Sequence, residues 1–215
     1  MDKSQRISII PAYNEAGTIG KVVAEIIQHS DVVVVDDCSS DFTASIAREA
    51  GAIVVTLPIN SGYEGALNAG FKFASERSYS YALTIDADGQ HDVTLVNSFF
   101  QLLESHKHDL VCGERPNAAR ISEWMMSLYF RAFYGVNDPL CGMKAYNLKY
   151  FKSIGIFDSK LLVGTELLVR YYRLGAVIGN RKIPIFPRKD QSRFGSSWRA
   201  NVKIFKALVR VIKLK

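Results

Sequence analysis

Asp86-Ala87-Asp88-Gly89-Gln90 puts two carboxylates and an amide within five residues. The acids alternate as the chain leaves an apolar run, Tyr81 to Ile85, that has the character of a buried strand. Carboxylates spaced this way can bracket one divalent cation that bridges two phosphates. Mg²⁺ and Mn²⁺ favour such oxygen ligands and keep positions open for substrate. A bound cation of this kind offsets negative charge on a departing diphosphate. The plainer alternative is that the acids cap a turn or the next helix. His91, next in sequence, fits a surface residue better than a metal ligand.

Other polar clusters have chemistry of their own. Tyr13 offers a stacking face and a phenol, and Glu15 and Asp37 can accept hydrogen bonds from a base or ribose. On their own, Tyr13 and Glu15 would be an ordinary loop leading into a helix. Gly62 and Gly65 allow tight turns ahead of a helix, although Glu64 between them would repel a phosphate. Arg115, Arg120, Arg188 and Arg193 carry guanidinium groups suited to phosphate oxygens. Asp138 precedes a Pro-Leu-Cys-Gly turn and Glu166 opens a helix, places where acids commonly cap. Both are also candidates for a general base, which a hydroxyl acceptor would require.

These residues must be positioned by an α/β framework. Ile7–Ile10, Val32–Val35, Ile53–Leu57 and Tyr81–Ile85 are apolar runs of strand length. Ile19, Val22, Val23, Ile26 and Ile27 follow helical spacing after Thr18, a candidate N-cap. Further helices are expected over Phe42–Ala50, Ala66–Ser75, Thr94–Ser105 and Ser122–Phe133, with one or two more in Phe151–Gly175. A short strand is expected at Leu110–Cys112 and a further strand at Ala176–Phe186. Alternation of apolar strands with helices predicts a parallel sheet covered on both faces. Ligands of such sheets bind beyond the carboxyl ends of the strands, where the polar clusters of the first half fall.

The 215 residues suit one folded unit. The net charge of +6 equals the six basic residues after Trp198, from Arg199 to Lys215, where no acid occurs. Trp198, Val202, Phe205, Leu208, Val209 and Ile212 recur there at helical spacing. Such a basic amphipathic helix suits a membrane interface; packing on its own domain or on a second subunit is the alternative. Nucleic acid is a poorer partner, since the apolar stripe shares that helix. Cys38, Cys112 and Cys141 have no metal-ligand spacing and are expected as reduced thiols. With no apolar leader or spanning run, the expectation is a cytoplasmic protein attached peripherally to the cytoplasmic face of a membrane.

Taken in order, Ile10-Pro11-Ala12-Tyr13-Asn14-Glu15, Val34-Val35-Asp36-Asp37-Cys38-Ser39-Ser40-Asp41, Asn60-Ser61-Gly62-Tyr63-Glu64-Gly65-Ala66 and Asp86-Ala87-Asp88-Gly89-Gln90-His91 resemble family 2 of the glycosyltransferases. The order and spacing are most similar to its polyprenyl-phosphate mannosyl- and glucosyltransferase branch. The match is continuous over about residues 7–115 and looser through Asp138–Lys144 and Glu166 to the Arg188–Gly195 loop. The resemblance implies a Rossmann-like A-type glycosyltransferase fold, mostly parallel, flanked by helices and ending in the basic amphipathic helix. The expected division is a catalytic domain over 1–197 (nucleotide-sugar half 1–115, acceptor half 116–197) and a tail over 198–215.

By motif position, Pro11, Tyr13, Glu15 and Asp37 would hold the nucleoside of a UDP- or GDP-sugar. Asp86 would lie near ribose and metal, and Asp88 with Gln90 would bind Mg²⁺ or Mn²⁺. Arg115 matches the family's Gly-Ser-Arg position, with Glu114 replacing serine. With Arg120, Arg188 and Arg193 it would serve an acceptor phosphate or the donor diphosphate. The expected reaction is inverting transfer of a hexose to a polyprenyl phosphate, which needs no base. Transfer to a glycan hydroxyl, with Asp138 or Glu166 as base, is the second expectation; a non-catalytic nucleotide-sugar-binding or membrane-scaffold protein is the third. The family often has glycine or a basic residue where this chain has Glu64, and the glycine segment is expected to shape the nucleoside pocket rather than hold the diphosphate.

Overall fold

A computed structural model describes residues 5–116, 120–160, 162–187 and 197–213. Seven strands form one sheet: β1 (Arg6–Ala12), β2 (Asp31–Asp36), β3 (Ile53–Thr56), β4 (Tyr81–Thr84), β5 (Leu110–Glu114), β6 (Lys144–Asn147) and β7 (Ile178–Lys182). Among the described residues eight α-helices accompany them: α1 (Ile19–Ile26), α2 (Thr43–Glu49), α3 (Gly62–Glu76), α4 (Val96–Glu104), α5 (Ile121–Tyr134), α6 (Leu148–Ile154), α7 (Glu166–Arg173) and α8 (Ser197–Ile212).

The sheet order is β3-β2-β1-β4-β6-β5-β7. Strand alternation sends Ile7, Ile9, Val33 and Val35 to one face, where they pack with residues of α3, α5, α6, α7 and α8. Ile10, Val32, Val34 and Leu83 face the other side, with α1, α2 and α4. Apolar residues on both faces of a strand are what a doubly covered sheet requires. Pro11 is tolerated in a central strand because the β4 ladder ends at Ile9↔Thr84, before the residue that lacks an N–H.

The structure departs from a wholly parallel sheet in one place. β6 runs antiparallel to both β4 and β5, while the other pairs are parallel. Its sequence, Lys-Ala-Tyr-Asn, is too short and mixed to signal a strand. Thr18 stands at the start of α1 as expected, but its hydroxyl donates back to the Glu15 carbonyl (3.3 Å) and caps no helix N–H. One face of α8 is buried in the main core against α5. Among the described residues no helix is long and apolar enough to cross a membrane.

Candidate active site

The strand order reverses at β1: β2 and β3 lie to one side and β4 to the other. Such a switch point opens a crevice beyond the strand ends. Two loops there are laced together. Asn14, with φ of 52°, donates its N–H to Ser39 Oγ (2.9 Å), and its side-chain oxygen accepts from the Ser40 N–H (2.8 Å). The Glu15 N–H donates to Thr43 Oγ1 (2.7 Å), and Glu15 itself is buried. Tyr13 keeps an exposed ring at the same edge, directly after Ala12 at the end of β1.

Asp37 is also buried. Its carboxylate accepts from the backbone N–H groups of Ser61 (2.6 Å) and Gly62 (2.8 Å). It therefore pins the turn that starts α3, where Gly62 has a φ of 75°. Glu64, the third residue of α3, pairs with Lys203 of α8 at 3.2 Å.

The acidic turn lies on the other side of the crevice. Gly89, at φ 71°, lets the chain fold back so that the Gln90 N–H donates to Asp88 Oδ1 (3.1 Å). The Gln90 side-chain amide donates to the Phe186 carbonyl (3.4 Å), which leaves Oε1 as its free-standing acceptor atom. Asp86 is held on several sides. His91 Nε2 lies 3.0 Å from its Oδ2, and the Tyr63 phenol lies near enough to favour the ionised carboxylate. A Cβ on Gly142 would fall 2.1 Å from that same Oδ2, so only glycine fits. Burial pushes the Asp86 carboxyl up, but His91, Tyr63 and the nearby Arg115 outweigh it and hold it below the usual carboxylate range. His91, expected at the surface, is buried beside Asp86. Neither Tyr63 nor Gly142 was marked by sequence as a neighbour of Asp86, because the contacts span 23 and 56 residues of chain.

Arg115 follows β5 and makes a bidentate pair with Asp138, Nε to Oδ2 at 2.6 Å and Nη2 to Oδ1 at 3.0 Å. Glu123 on α5 completes the cluster, 3.5 Å from Arg115 and 2.6 Å from Arg120. Burial raises the Asp138 carboxyl, yet the Arg115 guanidinium prevails and keeps it below the ordinary range. Four residues beyond Asp138, Gly142 abuts Asp86, so one short segment joins the arginine cluster to the acidic turn.

Glu166 stands apart. It is fully buried and accepts from the N–H groups of Ser159 (2.7 Å) and Lys160 (3.0 Å) and from Arg170 (2.6 Å). Those bonds organise the loop ahead of α7. Arg188 and Arg193 lie outside the described residues.

Among the described residues no three His, Cys, Asp or Glu side chains group as a ready cation site. The donor set at the turn is instead two carboxylates and an amide oxygen. That all-oxygen set suits Mg²⁺ or Mn²⁺ with further ligands from a diphosphate.

The family model described as glycosyl transferase family 2 matches residues 8–157, more than half of the chain. The chain belongs to this family. Its relatives include sugar transferases to polyprenyl phosphates. It is 30% identical over 171 residues to an undecaprenyl-phosphate mannosyltransferase of Micrococcus luteus, covering 70% of this chain and 69% of that one. It is 27% identical to a UDP-N-acetylglucosamine–dolichyl-phosphate N-acetylglucosaminyltransferase of Methanococcus voltae, covering 67% of this chain and 70% of that one. Among solved structures it resembles the glucosyl-3-phosphoglycerate synthase of Mycobacterium tuberculosis. The TM-score is 0.76 at 22% identity, covering 96% of this chain and 80% of that one. That likeness shows the fold, an A-type glycosyltransferase architecture. The synthase was crystallised with Mn²⁺, UDP and glucosyl-3-phosphoglycerate.

Proposed function

We propose that this family 2 glycosyltransferase moves a hexose from a UDP- or GDP-sugar to a polyprenyl phosphate at a membrane surface, with inversion at the anomeric carbon. The observation that carries the reading is the Asp86–Gln90 turn at the switch point, joined through Asp138–Gly142 to Arg115. The named relatives act on polyprenyl phosphates, and the structural neighbour binds Mn²⁺ with UDP.

Asp88 and Gln90 Oε1, with Asp86 alongside, would hold Mg²⁺ or Mn²⁺. When bound, the cation supplies positive charge against the diphosphate leaving group. The remaining work falls to the protein. Tyr13, Glu15 and the edge of Pro11 receive the nucleoside, and Asp37 shapes that pocket by fixing the Ser61–Gly62 turn. Asp86, held by His91 and backed by Gly142, is oriented before substrate arrives, and such positioning contributes strongly to rate. Arg115 and Arg120 share their charge with Asp138 and Glu123, and an incoming phosphate would compete for those guanidinium groups. The acceptor phosphate oxygen attacks the anomeric carbon in line. A new C–O bond forms as the bond to the nucleoside diphosphate breaks, and the electron pair leaves with the diphosphate. No proton has to be removed from an anionic phosphate. That suits a site in which Asp138 is held ionised by Arg115 and is a weak base.

The test is transfer from radiolabelled UDP- and GDP-sugars to a polyprenyl phosphate, with and without Mn²⁺, for the intact protein and for Asp88→Ala. The expected result is a metal-dependent phosphate-linked lipid product with one donor, lost in Asp88→Ala while the melting temperature is kept. Near-normal turnover in that variant would sink the metal assignment. Product only with a hydroxyl acceptor would favour the glycan reading. Binding of donor without any turnover would favour a non-catalytic protein.

A further inference from the structure

α8 has three faces. Ala200, Ile204, Ala207, Leu208 and Val211 are buried in the core. A second apolar ridge of Trp198, Phe205, Val209 and Ile212 is exposed. At 100° per residue this ridge spans about 60° of the helix. Exposed Arg199, Lys206 and Lys213 run along its flank, and no acid occurs between 197 and 213. Lys203 and Arg210, farther round, contact the body through Glu64 (3.2 Å) and the Lys160 carbonyl (3.3 Å).

The neighbouring helix α5, packed against α8, also carries exposed apolar side chains. Its buried face carries Met126 and Phe130, but Ile121, Trp124 and Leu128 point outward. The two helices are stitched near their starts, where Ser122 Oγ donates to Asn201 Oδ1 at 2.6 Å. Both tryptophans of the chain stand here, Trp124 at 59% and Trp198 at 77% exposure, a cost that water gives no reason to bear. Arg120 and Glu123 of the arginine cluster border the same helix end.

We propose that this α5–α8 face seats on an anionic bilayer, with the apolar ridge at the headgroup boundary and Arg199, Lys206 and Lys213 among the headgroups. Tryptophan favours that boundary, and basic residues beside an apolar ridge match an anionic lipid surface. A second copy on the same face would bring a basic row near its own image without acids from α8 to answer it. A nucleic acid would take the basic row and leave the ridge in water. The docking is read from this face alone; its meaning for catalysis rests on the lipid-acceptor reading above.

The experiment uses the intact chain with vesicles of phosphatidylcholine, alone or mixed with phosphatidylglycerol, and no donor or acceptor. Because both tryptophans lie on the face, their emission reports on it directly. The expected result is sedimentation with the mixed vesicles, weakened by salt, together with a blue shift and quenching by brominated lipid. Each basic residue near an anionic surface contributes roughly fivefold in affinity, so Lys206→Glu/Lys213→Glu should weaken binding by at least about 30-fold. That variant should keep the wild-type melting temperature and metal-dependent donor hydrolysis. Equal weak binding to both vesicle types without an emission shift overturns the proposal. So does a concentration-dependent shift without lipid that tracks dimer formation in sedimentation. Failed docking with intact sugar transfer removes this inference alone; docking without any transfer removes the reaction and leaves the docking.

Discussion

Replacing Gly142 by alanine tests whether Asp86 must sit where it does. The added methyl would lie 2.1 Å from Asp86 Oδ2 and 2.5 Å from its Cγ. The backbone has little freedom to retreat, because the Gly142 carbonyl accepts from Thr84 Oγ1 at 2.7 Å and β6 begins two residues later. Relief therefore falls on the carboxylate. To regain ordinary contact at 3.4 Å its oxygen must move by about 1.3 Å, the difference from 2.1 Å, which disturbs its 3.0 Å contact with His91. A displacement of that size in a positioned group costs on the order of 100-fold in rate. Overpacking of one methyl costs roughly 1–3 kcal/mol, which for a chain of this length lowers the melting temperature by about 2–12 °C. The assay is kcat/KM for sugar transfer beside a thermal melt. A folded Gly142→Ala variant with activity within about threefold of wild type would refute the reasoning, since threefold is only about a quarter of the expected barrier change.

Two further outcomes follow from the electrostatics. Asp138, Asp86 and Glu166 all have folded-state carboxyls held below their ordinary values. Their stabilising contribution is present above the unfolded pKa and is lost as pH falls through the folded one. Urea unfolding should thus give near-constant stability from neutral pH down to about 5 and a fall below about 4, and Asp138→Asn should flatten part of that fall; an unchanged acid limb in the variant would discard the Arg115–Asp138 contribution. Burial pushes the thiols of Cys112 and Cys141 up to about 12, whereas Cys38 is exposed. Thiol titration of the native protein near pH 8 should show one fast group and two that react only on unfolding, and three fast thiols would contradict the packing around Gly113 and Met143.

The first four strands were legible because Val32–Val35 is wholly apolar and Ile7–Ile10 is broken only by Ser8, a pattern that a doubly covered sheet demands. β6 was not, since Lys144 and Asn147 break the pattern and its burial depends on neighbours supplied by β4 and β5. On α8, helical spacing drew attention to the large side chains Trp198, Phe205 and Val209, which the structure leaves exposed. The core takes Ala200, Ile204 and Ala207 together with Leu208. Of the site, the acidic turn and the loops after β1 and β2 could be located from composition and order. Which group each side chain answers to could not. Asp37 holds a backbone turn, His91 orients Asp86, and Asp138 neutralises Arg115, all through contacts across more than one element.

β6 has a metric consequence. It lies between β4 and β5 and opposes both, so those two strands run the same way and end at the same edge. Thr84, Lys144 and Cys112 stand level across the three, which puts Asp86 and the Glu114–Arg115 step level as well, two interstrand spacings apart or about 10 Å along the sheet. Under the proposed function, that intervening strand would be a spacer between the end assigned to a departing diphosphate and the end assigned to an arriving phosphate. Its width sets aside room for what must lie between them, and it is made from residues that follow both.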